Sequence, residues 1–251
     1  MGIQGNYKRA PTAACGFLWV AALIAVAVVS CGCSRASEPV NGGAAQYSSE
    51  PFLHFSDGFD DGNLDAWQMP YPEDWVILEE NGNQYLHMKR SREPGVPRRP
   101  LQFARLKGVN VGSFDLHLRV RREQHSMIVV FNYVDTLHFY YTHLSADPGT
   151  KISVHNGIFL VNNAPRVRIA GLEAQPALPD TSWHEIRVRR DAASGKIEVW
   201  SDVSPKPLFT AVDRTFTCGQ IGIGSFDETG DFDDVRLTST DFKCKPTGGG
   251  K

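Results

Sequence analysis

The chain has 251 residues, 41% of them apolar and 22% charged, with a formal net charge of −2. These proportions describe a globular protein with a sizeable core and exclude a disordered or collagen-like chain. The near-neutral balance gives no electrostatic reason to expect nucleic acid as a partner.

The chain opens on a leader, in which Lys8 and Arg9 form a basic start and residues 17–29 run apolar without a charge. The apolar run 13–30 is only marginally long enough to cross a membrane, which takes about 20 residues. Its end, Val28, Val29, Ser30, Cys31, resembles the lipobox of bacterial lipoproteins, in which the cysteine is lipidated after the leader is cut. The expectation is a signal peptide over residues 1–30 and a lipid on Cys31. The exported protein is then anchored to a bacterial membrane, on its periplasmic or cell-surface side, without crossing it. Residues 31–51, rich in Ser, Ala, Gly and Glu, read as a flexible tether.

The fold begins near Phe52. Trp75, Val76, Ile77, Leu78 and Tyr85, Leu86, His87, Met88 flank Asn81, Gly82, Asn83, a strong hairpin signal. Residues 90–100 carry Arg90, Arg92, Arg98 and Arg99 among three prolines and read as a solvated basic loop. Residues 101–106 and 114–121 are strands, the second with Leu116, Leu118 and Val120 facing in. In the next strand Met127, Val129, Phe131 and Tyr133 alternate with Ile128, Val130 and Asn132, so both faces are apolar near its start and it belongs in the centre of a sheet. Over residues 137–144, packing Phe139 and Tyr141 inward turns His138, Tyr140 and Thr142 to the other face.

Short strands follow at 151–155, 158–161 and 166–169. Residues 183–190 and 196–200 form a long hairpin: His184, Ile186, Val188, Ile197 and Val199 line one face, and Glu185, Arg187, Arg189, Glu198 and Trp200 line the other. A Gly-punctuated strand at 219–226 and a closing strand at 231–237 complete a domain over residues 52–240, with 241–251 as a disordered tail. About fourteen short strands with turn signals between them, and no helix after the leader longer than two turns, predict an all-β sandwich or jelly roll. Cys218 and Cys244 are the two cysteines inside the folded part. They can pair in an oxidising compartment, but spacing alone leaves open whether they come within bridging distance.

Phe59, Asp60, Asp61, Gly62 with Trp67, then Asn132, Tyr133, Val134, Asp135 with Phe139, Tyr140, Tyr141, then residues 183–188, 222–226 and 232–235 resemble the concanavalin A-like lectin/glucanase superfamily. More narrowly they are similar to the laminin-G-like and DUF1080-type domains of exported bacterial proteins, the latter known as 3-keto-disaccharide hydrolases. The resemblance implies a concanavalin A-like jelly-roll sandwich of two antiparallel sheets, with a groove on the outer face of one curved sheet. First and last strands lie side by side in this superfamily, which makes Asp60 and Asp233 a candidate structural calcium pair; turn and edge-strand acids give the same pattern. The Glu-x-Asp-x-x-Glu strand of the glucanases and the Gly-Tyr-Glu-x-Gln segment of the DUF1080 hydrolases are both missing.

Two sets of residues stand out as ligand sites. Asn132, His138, Tyr140 and Thr142 combine an aromatic ring with polar tips, which suits stacking on the apolar surface of a sugar; an ordinary strand aromatic gives the same pattern. Arg187 beside Trp200 suits an acidic or uronate glycan, and cross-strand charge pairs explain that face equally well. The function expected is a tethered carbohydrate-binding or interaction module, with a glycan or a cell-surface protein as partner and no confident catalytic residue. The alternative is a glycoside hydrolase or lyase using Glu185, Glu198, Asp135 or His138 as acid or base.

Overall fold

The computed structural model describes residues 52–151 and 156–246. The leader, Cys31, the tether, most of the strand expected at 151–155 and the last five residues lie outside the described residues.

The chain forms β1 (Leu53–Asp57) and β2 (Trp67–Gln68), then the hairpin of β3 (Trp75–Glu80) and β4 (Asn83–Met88). After β5 (Gln102–Leu106) and β6 (Phe114–Arg122) come β7 (Ser126–Asp135), β8 (His138–Ser145), β9 (Gly157–Asn162) and β10 (Val167–Ala170). The hairpin of β11 (His184–Asp191) and β12 (Lys196–Ser201) leads to β13 (Phe209–Val212), β14 (Gln220–Ser225) and β15 (Gly230–Ser239). Among the described residues the only helical element is one 3-10 turn, Pro72–Asp74. The turn between β3 and β4 works as the sequence predicts: Asn81 and Gly82 take left-handed φ of 56° and 80°, the backbone that a two-residue hairpin demands.

The strands build two antiparallel sheets. One runs β13-β12-β11-β6-β15-β4-β3, with β1 added alongside β15; the other runs β10-β9-β8-β7-β14-β5-β2. The alternating residues of β6, β11 and β12 put Leu116, Leu118, Val120, Ile186, Val188, Ile197 and Val199 on the inner face. They meet Met127, Val129, Phe131, Tyr140, Leu144, Ile158 and Ile223 from the second sheet. This is the two-sheet antiparallel jelly roll expected from the strand pattern.

Two bulges set which side chains reach the core. Asn132 has φ 45° and Asp234 has φ 51°, and each coincides with a shift in strand register. An extra residue reverses the in-and-out phase of everything after it. In β15, Phe232 before the bulge and Val235 and Leu237 after it therefore all face inward. In β7 the same device leaves Phe131 inside and sends Tyr133 to the outer face. Asn132 donates from its amide to the Val111 carbonyl at 2.8 Å, which fixes the bulge from within. A Cβ on Gly219 would collide with the backbone of Asn132 and Tyr133, so glycine is required where β14 approaches it.

Residues 241–246 stay tied to the sandwich, unlike the free tail the composition suggests. The Gly112 N–H donates to the Asp241 carbonyl at 2.8 Å, and Cys244 forms a disulfide with Cys218, their Cα atoms 5.9 Å apart.

Candidate functional site

Because β7 and β8 are apolar on both faces, the seven-stranded sheet carries a second hydrophobic layer on its outside. Phe103, Tyr133, Phe139, Tyr141, Phe159 and Phe226 form a continuous aromatic floor there, joined by contacts such as Phe103–Tyr133 at 5.5 Å and Tyr141–Phe159 at 5.1 Å between ring centroids. Gly222 and Gly224 leave the outer side of β14 bare, and Phe103 leans across it; a Cβ at Gly224 would run into the Phe103 backbone.

The basic segment 90–100 covers part of this floor and is not a solvated loop. Arg92 pairs with the fully buried Asp74, reaches Glu73 at 2.8 Å and lies 3.9 Å over the Tyr71 ring. Arg99 is buried and donates to the carbonyls of Thr136 at 2.6 Å and Pro97 at 2.9 Å. Hydrogen bonds to local acids and carbonyls, available only in the folded chain, outweigh the hydration of these guanidinium groups.

Between this segment and β2 lies a cavity of about 340 Å3 with mostly apolar walls, lined by Met69, Pro70, Tyr71, Pro100, Leu101, Phe103, Arg105, Tyr133 and Thr136 together with Gln68. Arg105 lies 4.5 Å over the Tyr133 ring and donates to Gln220 Oε1 at 2.6 Å. Burial raises the Tyr133 hydroxyl pKa, so it stays protonated at neutral pH and can donate as well as accept. A cavity with aromatic walls, one forked cation and no carboxylate in its lining can hold a polar ring by stacking and hydrogen bonds. It lacks the paired acid and base of a glycosidase.

The residues expected to face a ligand in β8 point the other way. Tyr140 and Thr142 are fully buried, and so is Asn132 in its bulge. Tyr140 stacks on Phe131 at 5.5 Å inside the main core, while Phe139 and Tyr141 take the outer face. The bulky pair Phe139 and Tyr141 does not mark the inside, because both faces of this sheet are covered and Tyr140 finds polar partners within the core. Its hydroxyl accepts the Phe216 N–H at 3.1 Å and donates to Asp213. His138 sits at the end of the hairpin, with Nδ1 2.8 Å from Asp135 Oδ1.

The outer face of the eight-stranded sheet is a charge ladder. Arg187 binds Asp115, with Nε 2.8 Å from Oδ1, and lies 5.0 Å from the Trp200 ring. Burial alone would raise the Asp115 carboxyl, but Arg187 and His117 outweigh it and hold the pKa below the usual value. Arg121 joins Asp231 at 2.6 Å and Glu80 at 2.8 Å. A depression of about 330 Å3 does lie beside Arg187, Trp200 and Glu185, but its guanidinium is already committed to Asp115. The four residues considered as acid or base are split between sheets: Glu185 and Glu198 on β11 and β12, Asp135 and His138 on β7 and β8.

Asp233 is buried and its oxygens accept the Asn83 amide at 3.0 Å and the Asp234 N–H at 2.7 Å, with Arg119 3.4 Å away. Asp60 instead accepts from the Gln84 N–H at 3.4 Å. Among the described residues no three His, Cys, Asp or Glu side chains gather as a metal site, and a carboxylate surrounded by N–H donors and a guanidinium does not fit a calcium ligand.

Two sheets in this order, one with an aromatic outer face, make the concanavalin A-like sandwich. Solved structures of that architecture are similar to this chain. The carbohydrate binding module CBM66 of Bacillus subtilis is 14% identical, covering 69% of this chain and 96% of that one, with a TM-score of 0.51. The GH43 protein BlXynB of Bacillus licheniformis is 14% identical over 73% of this chain and 39% of its own, with a TM-score of 0.52. The winged bean acidic lectin, solved with methyl-alpha-D-galactose, is 12% identical over 77% of this chain and the whole of its own, with a TM-score of 0.50. At these identities the likeness is one of fold. No family model matches the sequence, and neither does any curated protein.

Proposed function

We propose that this protein is an exported, lipid-anchored carbohydrate-binding module that holds a sugar ring in the cavity beside Tyr71, Phe103 and Tyr133. The observation that carries the reading is that cavity: aromatic walls, a guanidinium and hydroxyls at its edge, and no carboxylate in its lining. The lipid on Cys31 rests on the Val28, Val29, Ser30, Cys31 sequence alone. Structural neighbours whose names include a carbohydrate binding module and a sugar-bound lectin add support at the level of fold. Hydrolysis, including the 3-keto-disaccharide type, is the weaker reading, since Glu185 and Glu198 stand on a different sheet from this cavity, and on its own sheet Asp135 is the one carboxylate of the four candidates and is bonded to His138.

A glycan array probed with the purified chain tests the proposal. Binding to a defined set of glycans, lost in Tyr71→Ala with the melting temperature unchanged, is the expected result. Release of reducing sugar from any bound polymer would favour the hydrolase instead. Radiolabelled palmitate incorporated by the wild type and not by Cys31→Ser checks the anchor.

A further inference from the structure

Most arginines on the outer faces of the two sheets differ in what they face, Arg189 on β11 being the exception without a carboxylate within 4.0 Å among the described residues. On the eight-stranded sheet Arg119, Arg121, Arg187 and Arg236 each have a carboxylate partner within ion-pair distance. Across the aromatic floor of the other sheet, Arg98 lies 4.9 Å over the Phe226 ring and Arg166 lies 3.9 Å over the same ring. Neither has a carboxylate within 4.0 Å among the described residues, and neither does Arg105 over Tyr133. The two are close in the chain path as well, since the Arg166 N–H donates to the Arg98 carbonyl at 3.1 Å.

A guanidinium carries five N–H donors. Arg166 spends one on the Tyr141 hydroxyl at 2.9 Å, and the Arg98 side chain is exposed and donates to no described residue. Burial works against the charge on Arg166 and Tyr141 supports it, while of the neighbouring charges Arg98 opposes it and Asp227 favours it. Two like charges over one ring, with donors to spare and no carboxylate in direct contact among the described residues, can take an incoming anion. A buried chain of rings runs from beneath them through Tyr141 and Phe139 to Tyr133 at the cavity, in ring-to-ring steps of 6.4, 6.2 and 5.7 Å, and ties the two places to one layer of the sheet.

We infer that Arg98 and Arg166 form an anion subsite, so that the ligand is an acidic saccharide whose carboxylate or sulfate binds them while another of its rings occupies the cavity at Tyr133. The inference rests on the carbohydrate reading above and narrows it. The acidic specificity considered for Arg187 thus belongs on the opposite sheet, where Arg98 and Arg166 have no carboxylate partner and keep donors free.

Affinity electrophoresis of the whole chain in gels containing polygalacturonate, dextran sulfate or neutral dextran separates the outcomes. Retardation by polygalacturonate names a carboxylate as the anion, and retardation by dextran sulfate alone names a sulfate ester. In either case Arg98→Gln weakens the interaction about tenfold, as expected for one charge-assisted contact. Arg166→Gln does the same if it folds; Arg98→Gln, at an exposed site, carries the test if it does not. Equal retardation by neutral dextran, or anion binding that Arg98→Gln leaves unchanged, overturns the anion subsite while leaving carbohydrate binding intact. Binding to none of the polymers and to nothing on a glycan array overturns both.

Discussion

Replacing Tyr140 with phenylalanine removes one oxygen from the inter-sheet core and separates two accounts of that residue. In the structure the hydroxyl accepts the buried Phe216 N–H at 3.1 Å and donates to Asp213. Asp213 is only half-buried and keeps the Thr215 N–H at 2.8 Å, so water relieves part of its loss. The Phe216 amide has no such relief. A bond to a charged group contributes about 1.5–3 kcal/mol and a stranded buried amide costs about 1–3 kcal/mol, so the variant loses about 3 kcal/mol. For a domain of this size that lowers the melting temperature by about 6–12 °C. The Tyr140 hydroxyl, pushed up to about 12 by burial and by Asp213, stays protonated throughout, while Asp213 is held below its usual value. The depressed carboxylate stabilises the fold above the ordinary Asp range and loses that contribution as pH falls through its folded pKa. Tyr140→Phe is therefore less acid-sensitive than the wild type. Circular dichroism melts at neutral and acidic pH, run beside a glycan-binding assay, make the comparison. An unchanged melting temperature with weakened glycan binding would refute the reasoning and return Tyr140 to a ligand-binding role.

Three further outcomes follow from the geometry. Cys244→Ser opens a loop with a sequence separation of 26, and the chain-entropy relation puts the loss at about 3.5 kcal/mol, read as a lower urea midpoint with a steeper slope as the unfolded chain expands. His87 bonds to Asp231 at 2.7 Å, which raises its pKa against the opposing effect of burial. This contribution is fully present below the usual imidazole value of 6.5 and is lost as pH rises through the folded value. His87→Gln should therefore flatten the stability profile above that point, and an NMR titration of His87 showing a depressed pKa would contradict the pairing. Adding calcium or a chelator should leave the melting temperature unchanged, because Asn83, Asp234 and Arg119 already surround Asp233; a calcium-dependent rise would mean that these donors yield to the ion.

Much of the sandwich was legible because β6, β11 and β12 alternate strictly, and alternation names the buried face without outside help. In β7 and β8 that signal vanishes, since apolar residues occupy both faces and only pairing decides which is inside. Pairing places Phe131 opposite Tyr140 and Val130 opposite Tyr141. The phase then flips at Asn132, a residue type that tolerates left-handed backbone, so the sequence held a hint of the bulge but no measure of it. The cavity was less legible still. Tyr71, the pair Phe103 and Arg105 on β5, and Tyr133 come from three separate segments, and no local motif links them. The buried Arg190 was also missed, although alternation with Ile186 and Val188 points it inward; it donates to the carbonyls of Gly195, Asp213 and Phe216.

β1 lies along the end of β15 with Leu53 opposite Ser239, so the first and last strands are neighbours on the eight-stranded sheet, and the chain beyond β15 is held to the sandwich by the disulfide at Cys244. The cavity opens on the outside of the other sheet. The unit therefore has the geometry of a cassette. It can be spliced into a surface loop of a host protein through joints beside β1 and β15, or its old ends joined and new ones cut elsewhere.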